Sequence, residues 1–218
     1  MKTLHPQQQQ IIFEGLNIYQ KPFKHIFIDK VLSIDLANQI LQWLKQTDLF
    51  INRNEFNNKS NEFIIKQEYC PENLKSFFSP KTLKILKDEL QKIFEIEFED
   101  NFILSAVKHN KGDGTSIHSD YAEPTQRDNN FFTHRFLIYL NENWEEQDGG
   151  MLGIFSSKKP SSLIKTIPPI HNTGVGISFG KNSYHAVGKI KDKNRFSLVL
   201  TLKAVNGIYE EENKRNID

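Results

Sequence analysis

The sequence predicts a mainly β protein with an antiparallel sandwich in its second half and helices before it. Five short apolar runs, rich in β-branched and aromatic residues and separated by Gly, Asn and Pro turns, follow residue 101. Two amphipathic helical patterns precede them. A length of 218 residues suits one β-rich domain. We expect a single domain over 1–218, with helical support at about 20–100, a β core at about 101–205 and a charged tail at 206–218.

The N-terminal support begins with a short strand predicted at residues 25–28. Ser33 is a good N-cap for a helix that follows it. A second helix is predicted from Ser79 and Pro80, a cap followed by a first-turn proline. Both helices are expected to pack on the outer face of a sheet, through apolar stripes at helical spacing. The stripes are Leu36, Ala37, Ile40, Leu41 and Leu44 in the first helix, and Leu83, Leu86, Leu90, Ile93 and Phe94 in the second.

The β core is predicted from runs of strand length between turn signals such as residues 111–114 and 148–150. Polar segments at 52–60, 121–130 and 156–165 are interpreted as loops, of a length typical of lids or binding segments. The predicted strands are Phe102 to Lys108, Phe136 to Leu140, Met151 to Phe155, Gly174 to Phe179 and Phe196 to Leu202.

Charge and cysteine content exclude several classes of partner. There are 28 Lys and Arg against 27 Asp and Glu, a formal net charge of +1, so no long-range field favours nucleic acid or a membrane. The single cysteine, Cys70, leaves no intramolecular disulfide framework and fits a reducing compartment. Residues 1–10 contain no apolar signal region. We therefore expect a cytoplasmic protein with a small or peptide partner, and the oligomeric state stays open.

Three residues form a pattern suited to ferrous iron. His118 and Asp120 are two residues apart, so on a strand they would point to the same side. His185 would complete a facial set of two imidazoles and one carboxylate, which leaves three octahedral positions open. His134 and His171 compete for the place of the second histidine, but neither has a cationic residue at the right separation downstream.

Ten residues after His185 lies Arg195, followed by Ser197. On a strand the two side chains share a face, where the guanidinium can bind a carboxylate with two hydrogen bonds and the hydroxyl can add a third. An arginine in so apolar a strand is expected to be buried, and a buried arginine requires an anionic partner. The pair therefore predicts a carboxylate-binding site near the metal ligands.

Taken together, His118-Ser119-Asp120, His185 and Arg195-Phe196-Ser197 resemble the signature of the iron(II)- and 2-oxoglutarate-dependent dioxygenases. The segment 135–155 resembles their prolyl 4-hydroxylase branch, and the similarity covers about 103–202. The resemblance implies a double-stranded β-helix (jelly-roll) core. It also implies iron bound by the triad and 2-oxoglutarate bound by Arg195 and Ser197, with O2 as oxidant and ascorbate as a candidate addition. Tyr139 matches a position whose hydroxyl often contacts the same carboxylate, although a core aromatic is an equal alternative.

The resemblance implies hydroxylation of an unactivated C–H bond in an amino-acid-derived substrate, either in a peptide or in a free or carrier-bound amino acid. A tailoring oxygenase acting on another small molecule, or a cupin-like metal-binding module without activity, stays open as an alternative. Nucleic-acid repair dioxygenases carry a second arginine where this chain has Thr201, which disfavours that class. Many relatives also place a tyrosine on the strand before the triad, where this chain reads Val107-Lys108-His109-Asn110.

Overall fold

The computed structural model describes residues 10–55, 58–127, 131–209 and 212. It is mainly β, as predicted, and every pair of strands is antiparallel. The strands are β1 Ile11–Tyr19, β2 His25–Leu32, β3 Ile51–Glu55, β4 Asn58–Ile64, β5 Ile103–His109, β6 His134–Tyr139, β7 Leu152–Phe155, β8 Leu163–Ile167, β9 Gly174–Ser178, β10 His185–Val187 and β11 Arg195–Leu202. The α-helices are α1 Ile34–Gln46, α2 Glu72–Lys75 and α3 Pro80–Phe94.

The strands form two sheets. The larger has eight strands in the order β1-β2-β9-β6-β11-β5-β4-β3, and the smaller has three in the order β10-β7-β8. Apolar side chains from β6 and β9 of the large sheet cluster with others from β7 and β8 of the small one, so a core lies between the sheets. This arrangement is the jelly-roll architecture that the resemblance implied.

The two predicted helices cover the outer face of the large sheet. The Ser33 hydroxyl accepts a hydrogen bond from the Leu36 amide at the start of α1, and Ser79 caps α3 through the amide of Thr82. The apolar faces of both helices join one buried cluster with the outward side chains of β2, β5, β6 and β11. The helices thus stabilise the sheet from behind and leave its other face free for a cavity.

Two of the predicted loops are partly strands. Residues 52–60 lie largely in the β3–β4 hairpin, which β4 attaches to β5. The sequence pattern missed it because β3 is an edge strand with polar residues on both faces. The third loop ends early, since β8 begins at Leu163. The N-terminal region is accordingly less helical than expected, because it also contributes β1 to β4 to the large sheet.

Much of the predicted charged tail lies outside the described residues, but two of its members are packed. Tyr209 is fully buried, and Glu212 forms an ion pair with Arg127. In the segment 121–130, only residues 121–127 are described. None of the helices within the described residues is long and apolar enough to cross a bilayer.

Candidate metal centre and co-substrate pocket

His118 and His185 face each other across a single β-bridge. Each backbone amide donates to the carbonyl of the other residue, at 3.0 Å from His118 and 2.9 Å from His185. The expected strand around His118 is absent from the described residues, because this bridge is isolated and the flanking residues have no regular secondary structure. A pair of hydrogen bonds, rather than an extended strand, therefore holds the two imidazoles side by side, with ring centroids 4.5 Å apart.

Both imidazoles are oriented by a hydrogen bond to the backbone carbonyl two residues earlier in the chain. The Nδ1 of His118 lies 2.8 Å from the Ser116 carbonyl, and that of His185 lies 2.9 Å from the Ser183 carbonyl. Because a carbonyl oxygen can only accept, Nδ1–H is the donor in both rings and the neutral ring keeps its lone pair on Nε2. Burial lowers the pKa of His118, and neighbouring His185 lowers it further. The two Nε2 atoms are thereby prepared to bind a metal.

Asp120 brings a carboxylate to the same point. Its Oδ2 lies 3.4 Å from His185 Nε2, and its Oδ1 lies 4.0 Å from His118 Nε2. Burial alone would raise the pKa of Asp120, but the guanidinium of Arg135, 3.1 Å away, outweighs that effect and holds the pKa below its ordinary value. The ligand atoms of the three residues lie within 4.8 Å of one another. Two imidazoles and a carboxylate on one side of an opening suit Fe(II).

The two competing histidines lie elsewhere. His134 is buried on the helix side of the large sheet, edge-on to the rings of Phe94 and Phe98. His171 bonds to Asn38 of α1 through Nε2, at 2.9 Å. Neither belongs to the metal-ligating group that the described residues form.

The buried position of His134 predicts a pH effect on stability. Burial, aided by Lys24, lowers the pKa of His134 from 6.5 to about 3, so between these values the unfolded chain binds a proton that the folded chain does not. Stability from this group is complete above pH 6.5 and is lost as the pH falls. By pH 5 the loss is about 2 kcal/mol. The free energy of unfolding, measured with urea at pH 7 and pH 5, should fall by about 2 kcal/mol less in His134→Leu than in the wild type. Equal falls in the two proteins would contradict this prediction.

A second group of polar side chains lies on the inner face of the large sheet. Arg195 and Ser197 on β11 are both 1% exposed, and Tyr139 on β6, the register partner of Ser197, is fully buried. The Arg195 guanidinium lies over the Tyr139 ring at 4.7 Å. Among the described residues, the Arg195 Nε and Nη2, the Tyr139 hydroxyl and the Ser197 hydroxyl have no hydrogen-bond partner. Four buried donors without an acceptor require one, and a carboxylate supplies it.

His109 also belongs to this group, although it lies outside the motif that predicted the site. It ends β5 opposite Arg195, and its Nδ1 accepts a hydrogen bond from Arg195 Nη1 at 3.3 Å. Burial first, and then the charge of Arg195, lower the pKa of His109 to about 3, so the ring is neutral. The arginine is thus held by a neutral acceptor and keeps its full charge for a ligand.

One cavity of about 390 Å³ connects the two groups. Its wall includes His118 and His185 at the triad and Arg195, Ser197 and His109 at the carboxylate-binding end. Apolar side chains from five strands line the same cavity: Val107, Leu137, Leu152, Ile177 and Val199. Such a cavity excludes water from a metal and positions a carboxylate at a fixed distance from it.

The C-terminal segment supports the loop that carries Asp120. The Tyr209 hydroxyl accepts from the Ala122 amide at 3.0 Å and lies 3.5 Å from the Asp120 carbonyl. Arg127 contacts the Tyr209 ring and pairs with Glu212. Arg127 is therefore part of this support. The contact joins residues nearly 90 positions apart, so no local pattern reveals it.

We expect Tyr209→Phe to weaken metal binding while the fold persists. The change leaves the part-buried Ala122 amide without its acceptor, a loss of about 1 kcal/mol that lowers the melting temperature by about 2 to 4 °C. It also frees the loop that orients Asp120, so Mn(II) affinity should fall. Tyr69→Phe, at a tyrosine 43% exposed, is the matched control. Unchanged metal affinity in Tyr209→Phe would show that the loop needs no such support.

Comparison with known proteins agrees with this geometry. Residues 104–202 match the model of the 2OG-Fe(II) oxygenase superfamily. A prolyl 3-hydroxylase of Xenopus laevis is 24% identical over 186 residues, covering 82% of this chain and 34% of the relative. The chain thus spans about a third of the length of that curated relative.

Two solved structures share the fold. A prolyl-4-hydroxylase of Pseudomonas putida superposes with a TM-score of 0.66 at 18% identity, over 82% of this chain and 91% of its own. A prolyl hydroxylase of Trichoplax adhaerens, solved with a peptide of the hypoxia-inducible factor oxygen degradation domain, gives 0.64 at 16% identity, over 89% and 87%.

The jelly roll and the His-Asp-His group agree with the match over 104–202 to the 2OG-Fe(II) oxygenase superfamily, a class whose cofactors are Fe(II), 2-oxoglutarate and O2. Within that class, the relative and the two solved structures that the chain is similar to are all named prolyl hydroxylases. The recognition drawn from the sequence motifs is thereby confirmed.

Proposed function

We propose that His118, Asp120 and His185 bind Fe(II), and that Arg195 binds the distal carboxylate of 2-oxoglutarate with hydrogen bonds from Ser197 and Tyr139. The observation that carries this proposal is the set of four buried donors without partners at the end of the cavity that leads from the triad. A structural role for Arg195 would require an anion among the described residues, and none lies against it.

We propose hydroxylation of a C–H bond in an amino-acid-derived substrate, with all described elements forming one dioxygenase domain. When bound, the iron and 2-oxoglutarate supply the oxidising chemistry, in which O2 converts 2-oxoglutarate to succinate and CO2 and one oxygen atom enters the substrate. The chain's residues supply position and environment. The bridge between His118 and His185 fixes two ligands, Arg135 holds the second oxygen of Asp120, and Arg195 orients the co-substrate.

A proline residue is one candidate substrate, because the relatives and solved neighbours are named prolyl hydroxylases. A peptide is a candidate for the same reason, since one neighbour was solved with a peptide. Mass spectrometry of succinate and of substrate mass, across panels of amino acids and proline-containing peptides, separates these possibilities from a tailoring reaction on another small molecule.

Anaerobic addition of Fe(II) and 2-oxoglutarate to the protein tests the cofactor assignment directly. A weak visible charge-transfer band should appear, and it should be absent when either component is left out. Absence of the band with folded, wild-type protein would overturn the proposed function.

A further inference from the structure

Arg135 lies on the same cavity wall as the co-substrate anchor, but in a different row of the sheet. On β6 it is paired in register with Thr201 of β11 and Ile177 of β9, and all three line the cavity. Thr201 is six residues beyond Arg195, roughly 20 Å along the strand. Arg135 is therefore far from the proposed co-substrate anchor and next to Asp120.

Only part of the Arg135 guanidinium is hydrogen-bonded within the described residues. Its Nη1 contacts Asp120 Oδ2 at 3.1 Å, and the ring of Phe179 supports it at 5.2 Å. The Nε is buried and has no partner among the described residues. The side chain is 31% exposed at the cavity. It is thus rigidly placed and still has N–H groups to offer.

Charge balance indicates what these groups bind. With cofactors in place, iron brings two positive charges and the two arginines one each, whereas Asp120 and 2-oxoglutarate together bring three negative ones. The other cavity arginine, Arg53, is already paired with Glu62 at 3.2 Å. One positive charge is left uncompensated in a largely apolar cavity, and a monoanionic ligand group neutralises it.

We propose that Arg135 binds a carboxylate of the substrate, so that this enzyme acts on an amino acid or terminal residue with a free carboxylate rather than on an uncharged internal residue. This inference rests on the proposed function. The apolar side chains of Leu137, Ile177 and Phe132 beside Arg135 would contact the rest of the substrate. Arg135 would then act both as a positioning residue for Asp120 and as a determinant of specificity.

Binding of matched acids and amides to the Zn(II)- and 2-oxoglutarate-loaded protein tests this without turnover. The probes are free L-amino acids, N-acetyl-L-amino acids, the corresponding N-acetyl amides, and tripeptides with free or amidated C-termini, observed by saturation-transfer NMR. We expect at least one acid to bind at least about tenfold more tightly than its amide. The free, acetylated and peptide arms show which source of the carboxylate is accepted.

Arg135→Gln should remove the preference for the acid, and Arg135→Lys should keep part of it. Arg53→Gln, a change at the other cavity arginine, should keep it in full. Titration with Mn(II) and 2-oxoglutarate shows separately whether each variant still assembles the site. If both Arg135 variants lose the metal, the wild type's preference for acids over amides decides alone whether the inference holds.

Three results would overturn the inference. The wild type could bind acids and amides equally, it could bind none of the acids, or an Arg135→Gln variant that still binds metal could keep the preference unchanged. The proposed function fails by a different observation, the absence of the Fe(II) and 2-oxoglutarate band.

Discussion

Replacing Asp120 with alanine is expected to abolish turnover and to release the metal. Asp120 is the only anionic member of the triad, and its carboxylate is kept ionised by Arg135 against the effect of burial. Since loss of an outer-shell partner costs about 10- to 100-fold in metal affinity, loss of a ligand should cost more. Calorimetric titration with Mn(II) measures the affinity, and succinate formation measures the turnover.

Asp120→Asn is the informative companion. It preserves the shape of the side chain and one oxygen donor but removes the charge, so it separates the geometric share of binding from the electrostatic one. We expect it to bind metal more weakly than the wild type and more tightly than Asp120→Ala. A melting temperature near that of the wild type would show that both variants fold. Preserved turnover in folded Asp120→Ala would mean that the triad is misassigned.

The residues that sequence reasoning found are those fixed by local spacing. Arg195 and Ser197 share a face because they are two residues apart on a strand, and that strand forms as predicted. His118 and Asp120 converge with His185 even though no strand surrounds His118, because a bridge of two backbone hydrogen bonds replaces it. The helix N-caps at Ser33 and Ser79 can also be predicted from local sequence, since each cap bonds to an amide three positions away.

The contacts that it missed depend on pairing between distant segments. His109 meets Arg195 only because β5 and β11 pair in one register, and a shift by one residue would turn His109 to the helix side. Arg135 meets Asp120 through the position of β6 beside the loop after His118. The support from Tyr209 likewise arises from the packing of the C-terminal segment. Registers of this kind follow from the whole sheet, not from any window of sequence.

Replacing Arg195 should have opposite effects on co-substrate binding and on the stability of the cofactor-free protein. Without 2-oxoglutarate, the partners of this fully buried guanidinium among the described residues are uncharged, the His109 imidazole and the Tyr139 side chain, and burial lowers the pKa of Arg195. Arg195→Met, an apolar side chain of similar length, removes that unfavourable buried charge, so the cofactor-free melting temperature should stay level or rise. Arg195→Ala removes the charge but leaves a cavity.

The same changes should weaken 2-oxoglutarate binding by about 3 kcal/mol, roughly a hundredfold, because one partner of a buried charge pair is lost. Ser197→Ala, which removes a single neutral donor, should cost about 1 kcal/mol. Titration of Mn(II)-loaded protein with 2-oxoglutarate measures both losses of affinity, and the Mn(II) affinity itself should change little.

If the Arg195 variants bound 2-oxoglutarate as tightly as the wild type, the carboxylate anchor would lie elsewhere. If Arg195→Met instead lost affinity and stability together, Arg195 would have a structural role as well. We expect the cofactor-free melting temperature of Arg195→Met to stay level or rise while its affinity for 2-oxoglutarate falls. This combination is expected when a buried charge stabilises the bound ligand and not the fold.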